Sequence, residues 1–226
     1  STNILPGPAA CGIASLAIDH EAFLLTPEDN VPTEPLNRIA FEKAGIAKPG
    51  SPLVTQRYPG PVMATIARIA GKVGADFLPR GESWDIADYQ GTLHYRDAQG
   101  KLDLPQPRLA GSHQIGNLGL AIAMLRAQTA LPVSEAAQRA APLWAQWPAR
   151  MQRLEGGPLN EMLPGRTLIL DGGHNPDAGL ALAKTLTDSG TGEHGIDLVT
   201  GMLANKDVRG FLEPLRPLIR SIGSLP

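Results

Sequence analysis

Residues 167–177 read TLILDGGHNPD, and this stretch carries the strongest signal for the fold. The apolar run before Asp171 predicts a buried parallel strand, and Gly172-Gly173 predicts a turn at which the backbone can approach a ligand closely. Pro176 predicts the first turn of a helix, because its φ is already helical. A carboxylate and the imidazole of His174 would then lie at the carboxyl end of a strand, where open α/β sheets bind ligands.

The same stretch also has a purely structural interpretation. Asp171 and Asn175 would only cap the helix, and His174 would be an exposed loop residue. The pattern alone leaves both interpretations open.

Three other segments carry candidate side chains, each with a similar alternative. His20 follows a predicted strand and is either a metal ligand or a strand-end histidine. Lys43 lies near the end of a predicted helix, where a cation is favourable beside the negative pole of the helix dipole. Asn117 is either an amide that faces a ligand or a polar residue in the first turn of a helix. None of the three decides a function singly.

The composition is that of an ordinary globular protein, with 42% hydrophobic and 19% charged residues among 226. A net charge of −2 gives no electrostatic basis for binding nucleic acid or an anionic membrane, so neither is expected as a partner. The single cysteine, Cys11, excludes an internal disulfide and favours a reducing compartment, and we expect the cytoplasm. The chain starts at Ser1 without a methionine, which suggests the interior of a longer protein.

Strand and helix patterns alternate along the chain, which predicts an α/β fold with parallel sheets. A domain junction is predicted at Pro148-Ala149, so that residues 1–148 form one domain and residues 149–226 a smaller one. The predicted strands cover residues 10–18, 52–55, 92–95, 101–104, 167–170 and 196–201, and the main predicted helices cover residues 36–44, 61–73, 118–125 and 177–187. A further helix starts at Ser134-Glu135, and Trp144 and Trp147 are expected to help bury it.

Several motifs in this order resemble the folylpolyglutamate synthase/dihydrofolate synthase family of the Mur ligase superfamily. The resemblance is carried mainly by Ile39–Ile46, Lys48–Gly50 and Leu170–Pro176. Supporting matches are Thr2-Asn3, Asp19-His20, His113-Gln114 with Asn117, Arg150 within residues 148–152, and Gly201 with Lys206-Asp207. The chain departs from the family at Gly173, where alanine is usual, and by an insertion around residues 26–35.

The resemblance implies an ATP-dependent ligase that adds L-glutamate to dihydropteroate, folate or folate polyglutamates through an acyl phosphate. His20 would be a Mg²⁺ ligand, and Lys43 would serve both catalysis and the metal as a carbamate, whose oxygen atoms suit a hard cation. Asn117, Arg150 and Asp171 would hold ATP, with Arg150 near phosphate and Asp171 near ribose. His174 would be catalytic, near the incoming glutamate or the transferred phosphoryl group.

The resemblance also implies the architecture: a central ATP-binding domain over residues 1–148, incomplete at its N-terminus, and a Rossmann-like domain over residues 149–226, incomplete at its C-terminus. The family's active site lies in the cleft between these domains. We expect small-molecule substrates as partners and a monomer.

One family motif is absent from the sequence. No G-x-x-x-x-G-K-[ST] phosphate loop occurs in the 226 residues, so we expect the chain alone to be inactive or nearly so. One alternative is a shortened, non-catalytic scaffold that binds a nucleotide or a partner. Another is a different Mur-type amino-acid ligase, which the Glu42–Gly45 context disfavours.

Overall fold

The computed structural model of the chain describes residues 3–18, 28–29 and 31–225. The chain falls into two compact units. The first comprises Ser1–Pro107 and Ile115–Trp144, and the second comprises Arg108–Gln114 and Ala145–Pro226. The division into domains at residues 148 and 149 stays a prediction. Within the part of the chain that is described, no helix is both long and apolar enough to cross a membrane.

The first unit contains a parallel sheet with the strand order β1-β2-β3. Its strands are β1 (Cys11–Ile13), β2 (Pro52–Thr55) and β3 (Asp76–Pro79), and the helices after β1 and β2 are α1 (Pro35–Ala44) and α2 (Gly60–Val73). The helices pack on the sheet through a core that includes Ala40, Leu53 and Ile66, all fully buried. Parallel strands with intervening helices confirm the predicted α/β class.

Strand β1 is shorter than the predicted strand over residues 10–18. The hydroxyl of Tyr58 lies 2.7 Å from the carbonyl oxygens of both Ile13 and Ala14. A side chain therefore meets these carbonyls at the point where the strand ends, and the chain leaves the sheet there.

The first unit also contains an antiparallel sheet of strands β4 (Trp84–Tyr89), β5 (Thr92–Asp97) and β6 (Gly100–Leu104). The predicted strands over residues 92–95 and 101–104 are confirmed, and they pair as an antiparallel hairpin. Strand β4 was not predicted. Gln90 and Gly91, which connect β4 to β5, both have positive φ (52° and 80°), as tight hairpin turns require.

Helices α3 (His113–Ala127) and α4 (Glu135–Trp144) follow this sheet. The expectation that Trp144 and Trp147 help to bury α4 is wrong, because these side chains are 79% and 64% exposed. The buried residues of α4 are Gln138 and Pro142, which are one helical turn apart. Trp144 lies outside that stripe.

The described part of the second unit contains two short strand pairs, three α-helices and a 3₁₀ turn. Its strands are β7 (Gln152–Leu154), β8 (Leu168–Leu170), β9 (Ile196–Thr200) and β10 (Ile219–Ser224), and its helices are α5 (Pro158–Met162), α6 (Pro176–Asp188), α7 (Val208–Leu212) and a 3₁₀ turn at Glu213–Leu218. Leu186, Phe211 and Leu215 form the centre of its core. Strands β9 and β10 pair in parallel.

The sequence predicted β8 as a buried parallel strand, and this is wrong in two respects. Strand β8 pairs antiparallel with β7, and Leu170 is 47% exposed. The chain reverses direction between β7 and β8, over the segment that contains α5, so the two strands run antiparallel.

Candidate functional site

The turn between β8 and α6 contains the stretch that dominated the sequence analysis. Asn175 is the N-cap of α6, and its Oδ1 accepts a hydrogen bond from the Ala178 N–H at 2.9 Å. Asn175 therefore caps the helix, as the structural interpretation expects. Asp171 does not cap it, because its carboxylate bonds elsewhere.

The carboxylate of Asp171 connects two segments of the second unit. Its Oδ1 accepts the N–H of Gly173 and its Oδ2 accepts the N–H of Met151, both at 2.7 Å. The N–H of Gly172 in turn donates to the carbonyl of Ala149 at 3.0 Å. The segment Ala149–Met151, called the arginine turn below, is thus bound to residues 171–173.

The arginine turn has an uncommon backbone conformation. Among the described residues, three that are not glycine have positive φ, and two of them, Ala149 (53°) and Met151 (47°), flank Arg150. Such φ values are unfavourable for residues with a Cβ, by roughly 1–2 kcal/mol each. Backbone strain of this kind tends to occur at functional sites.

The guanidinium of Arg150 lies against Gly172-Gly173, the glycine turn between β8 and α6. A Cβ added to Gly172 would lie 3.1 Å from Arg150 Nη1, so the absence of a side chain makes this approach possible. Nη1 also donates to the carbonyl of Ala149 at 3.0 Å. The side chain is exposed, and an exposed guanidinium at a strand end can bind a phosphate group.

His174 is exposed in the same turn, and its Nδ1 lies 2.9 Å from the carbonyl oxygen of Gly172. This contact fits the tautomer in which Nδ1 carries the proton. The turn therefore orients the imidazole.

His113 lies in the same unit, and the charges of Asp171 and Arg150 influence its titration. Partial burial lowers the pKa of its ring, the Asp171 carboxylate acts in the opposite direction, and the Arg150 guanidinium lowers the pKa as well. The sequence offers one signal that could have pointed to His113, namely its place in the His113-Gln114 pair shortly before Asn117.

Asn117 lies in the part of α3 that belongs to the first unit and is half-buried. The residue before it is held by a polar network: Gln56 donates to the carbonyl of Gly116 at 2.6 Å, and Arg80 donates to Gln56 Oε1 at 3.3 Å. Gln56 follows β2 and Arg80 follows β3, so the carboxyl edge of the parallel sheet fixes this turn of the helix.

Lys43 lies in the last turn of α1 and is exposed. The neighbouring Glu42 is held by the buried Arg38 at 3.1 Å. His20 lies outside the described residues. Within those residues, no group of three or more histidine, cysteine or acidic side chains is arranged to hold a metal.

The structure thus brings Arg150, Asp171 and His174 together around residues 172–173, and His113 belongs to the same unit. Lys43 and Asn117 belong to the first unit. Gln152, which the sequence analysis quoted only as part of a motif, also contacts the arginine turn through a 3.0 Å bond to the Ala149 N–H.

No protein-family model matches the chain. It is 30% identical over 234 residues to the dihydrofolate synthase/folylpolyglutamate synthase of Haemophilus influenzae. This match covers 97% of the chain and 49% of that protein. It is 29% identical over 234 residues to the dihydrofolate synthetase of Saccharomyces cerevisiae, and this match covers 98% of the chain and 50% of that protein.

A solved structure of E. coli FolC in complex with DHPP and ADP matches with a TM-score of 0.75 and 30% identity, over 98% of this chain and 48% of that one. The chain spans about half the length of the curated relatives it matches. In both sequence and fold, as its motifs predict, the chain is therefore a relative of the folylpolyglutamate synthases/dihydrofolate synthases.

Proposed function

We propose that this chain is part of an ATP-dependent ligase that joins L-glutamate to dihydropteroate, folate or folate polyglutamates. The observation that carries the proposal is the arginine turn, bound to the Asp171 carboxylate with its guanidinium over Gly172. It presents a cation beside a strand end, where α/β sheets bind ligands. The activities for which the relatives are named, and the ADP in the FolC structure, support the same activity.

The resemblance implies two chemical steps. A carboxylate oxygen of the pteroate or folate attacks the γ-phosphorus of ATP, and the bond to the β–γ bridging oxygen breaks, which gives an acyl phosphate and ADP. The amine of glutamate then attacks the acyl carbon, phosphate leaves and the nitrogen loses a proton, which gives the amide. Cationic groups favour the first step, because the transferred phosphoryl group is negatively charged.

Arg150, Asp171 and Asn117 are assigned to the nucleotide. The exposed guanidinium of Arg150 would contact phosphate oxygens. Both oxygens of Asp171 accept backbone N–H groups, but each has a second lone pair that a ribose hydroxyl could use. His174 would lie near the incoming glutamate or the phosphoryl group.

Lys43 and His20 are assigned to Mg²⁺. A free ammonium at Lys43 would repel the cation, whereas a carbamate would offer it two oxygen atoms. No other residue is proposed as a metal ligand.

Nucleotide binding by the chain tests the arginine assignment. We expect Arg150→Ala to weaken ADP binding at least about tenfold in calorimetry, because charge-assisted bonds to phosphate would be lost. Adenosine binding should not change. Arg153→Ala, an exposed arginine in β7, is the matched control. Equal ADP affinity of Arg150→Ala and the unmodified chain would contradict the assignment.

We further propose that the 226-residue chain alone has little turnover, since its sequence contains no phosphate loop. The assay is ADP release with dihydropteroate or folate, glutamate, ATP and Mg²⁺. Normal turnover would contradict this statement while supporting the ligase activity.

The remaining parts of the proposal concern the state of the protein. We propose a cytoplasmic monomer whose partners are small molecules, without nucleic acid or membrane. Light scattering tests the monomer, and a mass of two or more chains would contradict it.

A further inference from the structure

We propose that Gln152 is a positioning residue: its side chain holds the arginine turn in the conformation that places the Arg150 guanidinium over Gly172. It would thereby set the affinity for phosphate groups without contacting the nucleotide. This inference rests on the proposed role of Arg150 in phosphate binding.

The first observation is the hydrogen bond itself. Gln152 Oε1 accepts the N–H of Ala149 at 3.0 Å, so the side chain reaches back over three residues to the start of the arginine turn. Its backbone meanwhile pairs with Leu170 in the β7–β8 ladder. A residue anchored in the ladder therefore holds the turn that precedes it.

The second observation is that the turn needs such support. Ala149 and Met151 both have positive φ, although neither is glycine. The other described residue of this kind, Gln90, lies in a hairpin turn beside Gly91, where the connection between two strands demands that conformation. At Ala149 and Met151 the surrounding hydrogen bonds must maintain it instead.

The third observation is the symmetry of the support. Both N–H groups that flank Arg150 are accepted by side chains: that of Ala149 by Gln152 and that of Met151 by Asp171. The carbonyl of Ala149 accepts the N–H of Gly172 at 3.0 Å. With both neighbours held, the direction in which Arg150 leaves the backbone is held too.

The geometry at Gly172 shows why direction matters. Arg150 Nη1 lies only 3.1 Å from the position that a Cβ of Gly172 would occupy. This close approach exists only while Ala149 and Arg150 keep their present backbone conformation. Removal of the Gln152 acceptor would allow Ala149 to return to negative φ, and the guanidinium would leave this position.

The test compares four variants of the chain by calorimetry with ADP and with adenosine. We expect Gln152→Ala to weaken ADP binding about fivefold, the value of one ordinary hydrogen bond, and to leave adenosine binding unchanged. Gln146→Ala, the same substitution at an exposed position of the preceding segment, should change neither. Adding Ala149→Gly to Gln152→Ala should recover part of the loss, because glycine adopts positive φ readily.

Arg150→Ala separates this inference from the proposed function. If Arg150→Ala weakens ADP binding and Gln152→Ala does not, the inference is wrong and the phosphate role stands. If Arg150→Ala has no effect on ADP, the phosphate role itself is wrong. Equal losses for ADP and adenosine in Gln152→Ala would show a general structural role and would overturn the inference.

A measurement on the unmodified chain covers the case in which Gln152→Ala does not fold. Amide hydrogen exchange should be slower at Ala149 and Met151 than at Arg150, because the first two N–H groups donate to side chains. Exchange at Ala149 as fast as at Arg150 would overturn the inference.

Discussion

The buried ion pair of Arg126 and Asp97 allows a quantitative test of the first unit. Arg126 lies in the last turn of α3, and its Nε and Nη2 donate to the two oxygens of Asp97 at 2.8 and 3.1 Å. The side chains are only 3% and 12% exposed. Hydrogen bonding to Asp97 raises the pKa of Arg126, so the guanidinium is charged at any ordinary pH.

We expect Arg126→Met to destabilise this unit by about 3 kcal/mol. Removing one partner of a buried pair typically costs about 3–5 kcal/mol, because the remaining charge stays buried. Here Asp97 keeps two other donors, the hydroxyl of Tyr95 and the N–H of Gln99, both at 2.9 Å, so the lower end of that range applies.

The assay is urea unfolding followed by tryptophan fluorescence at pH 7. Trp84 is 3% exposed and stacks on Tyr95 with 6.2 Å between ring centroids, so it reports on this part of the fold. With a typical slope for a small protein of about 1–3 kcal/mol per M urea, 3 kcal/mol lowers the midpoint by about 1–3 M.

Two further variants complete the test. Arg139→Met removes an arginine that is 44% exposed and pairs with Glu135, so it should cost about 1 kcal/mol or less. Asp97→Asn combined with Arg126→Met should recover much of the loss, since no buried charge remains. If Arg126→Met is no more destabilising than Arg139→Met, the reasoning about the buried charge is wrong.

Three other predictions concern the pKa values and the glycine turn. The ring of His113 should titrate below the usual value of about 6.5, and Arg150→Gln should raise its pKa by removing a positive charge; NMR of the ring protons measures both. Gly173→Ala should destabilise the second unit by about 1 kcal/mol in urea unfolding, since its Cβ would lie 3.0–3.2 Å from three neighbouring atoms. Burial opposes ionisation of Asp85, but hydrogen bonds from Arg80 and a backbone N–H hold the pKa of this carboxyl below its usual range. On acidification below about pH 4, Asp85→Asn should therefore lose less stability than the unmodified chain does.

Each of these predictions has a contrary outcome. A His113 pKa that stays constant or falls in Arg150→Gln would contradict the electrostatic account. Gly156→Ala, where a Cβ would meet nothing within 4 Å, is the control for Gly173→Ala, and equal stabilities would contradict the steric argument. The carboxyl of Asp85 has a lower pKa in the folded chain than in the unfolded chain, so its ionised form stabilises the fold above the unfolded pKa of about 3.9, and this stabilisation is lost as the pH falls. If the stability of Asp85→Asn depended on acid in the same way as that of the unmodified chain, this account would be contradicted.

Local signals predicted the elements around the site well. The apolar run before Asp171 became β8, Asn175 became the N-cap of α6, and Pro176 became its first residue. Strands β5 and β6 were likewise predicted, over residues 92–95 and 101–104. These features depend on neighbouring residues and so can be inferred from short stretches.

Features that depend on distant partners were missed. Strand β10 pairs with β9, from which α7 and a 3₁₀ turn separate it; β4 was missed as well, although its partner β5 is its neighbour in the chain. The antiparallel partner of β8 and the exposure of Trp144 were also predicted incorrectly. Strand formation and burial depend on which surfaces meet, and a local pattern does not contain that information.

By itself, the order of residues determined the chemical groups of the site and the family to which they point: a carboxylate, an imidazole and an arginine in recognisable contexts. Only the tertiary structure decided that Asp171 accepts the N–H of Met151, twenty residues earlier in the chain, and that Gln152 supports the turn between them. The reason is physical. Hydrogen-bond partners at this distance are selected by the register of β7 on β8 and by the positive φ of the arginine turn, and both exist only in the folded chain.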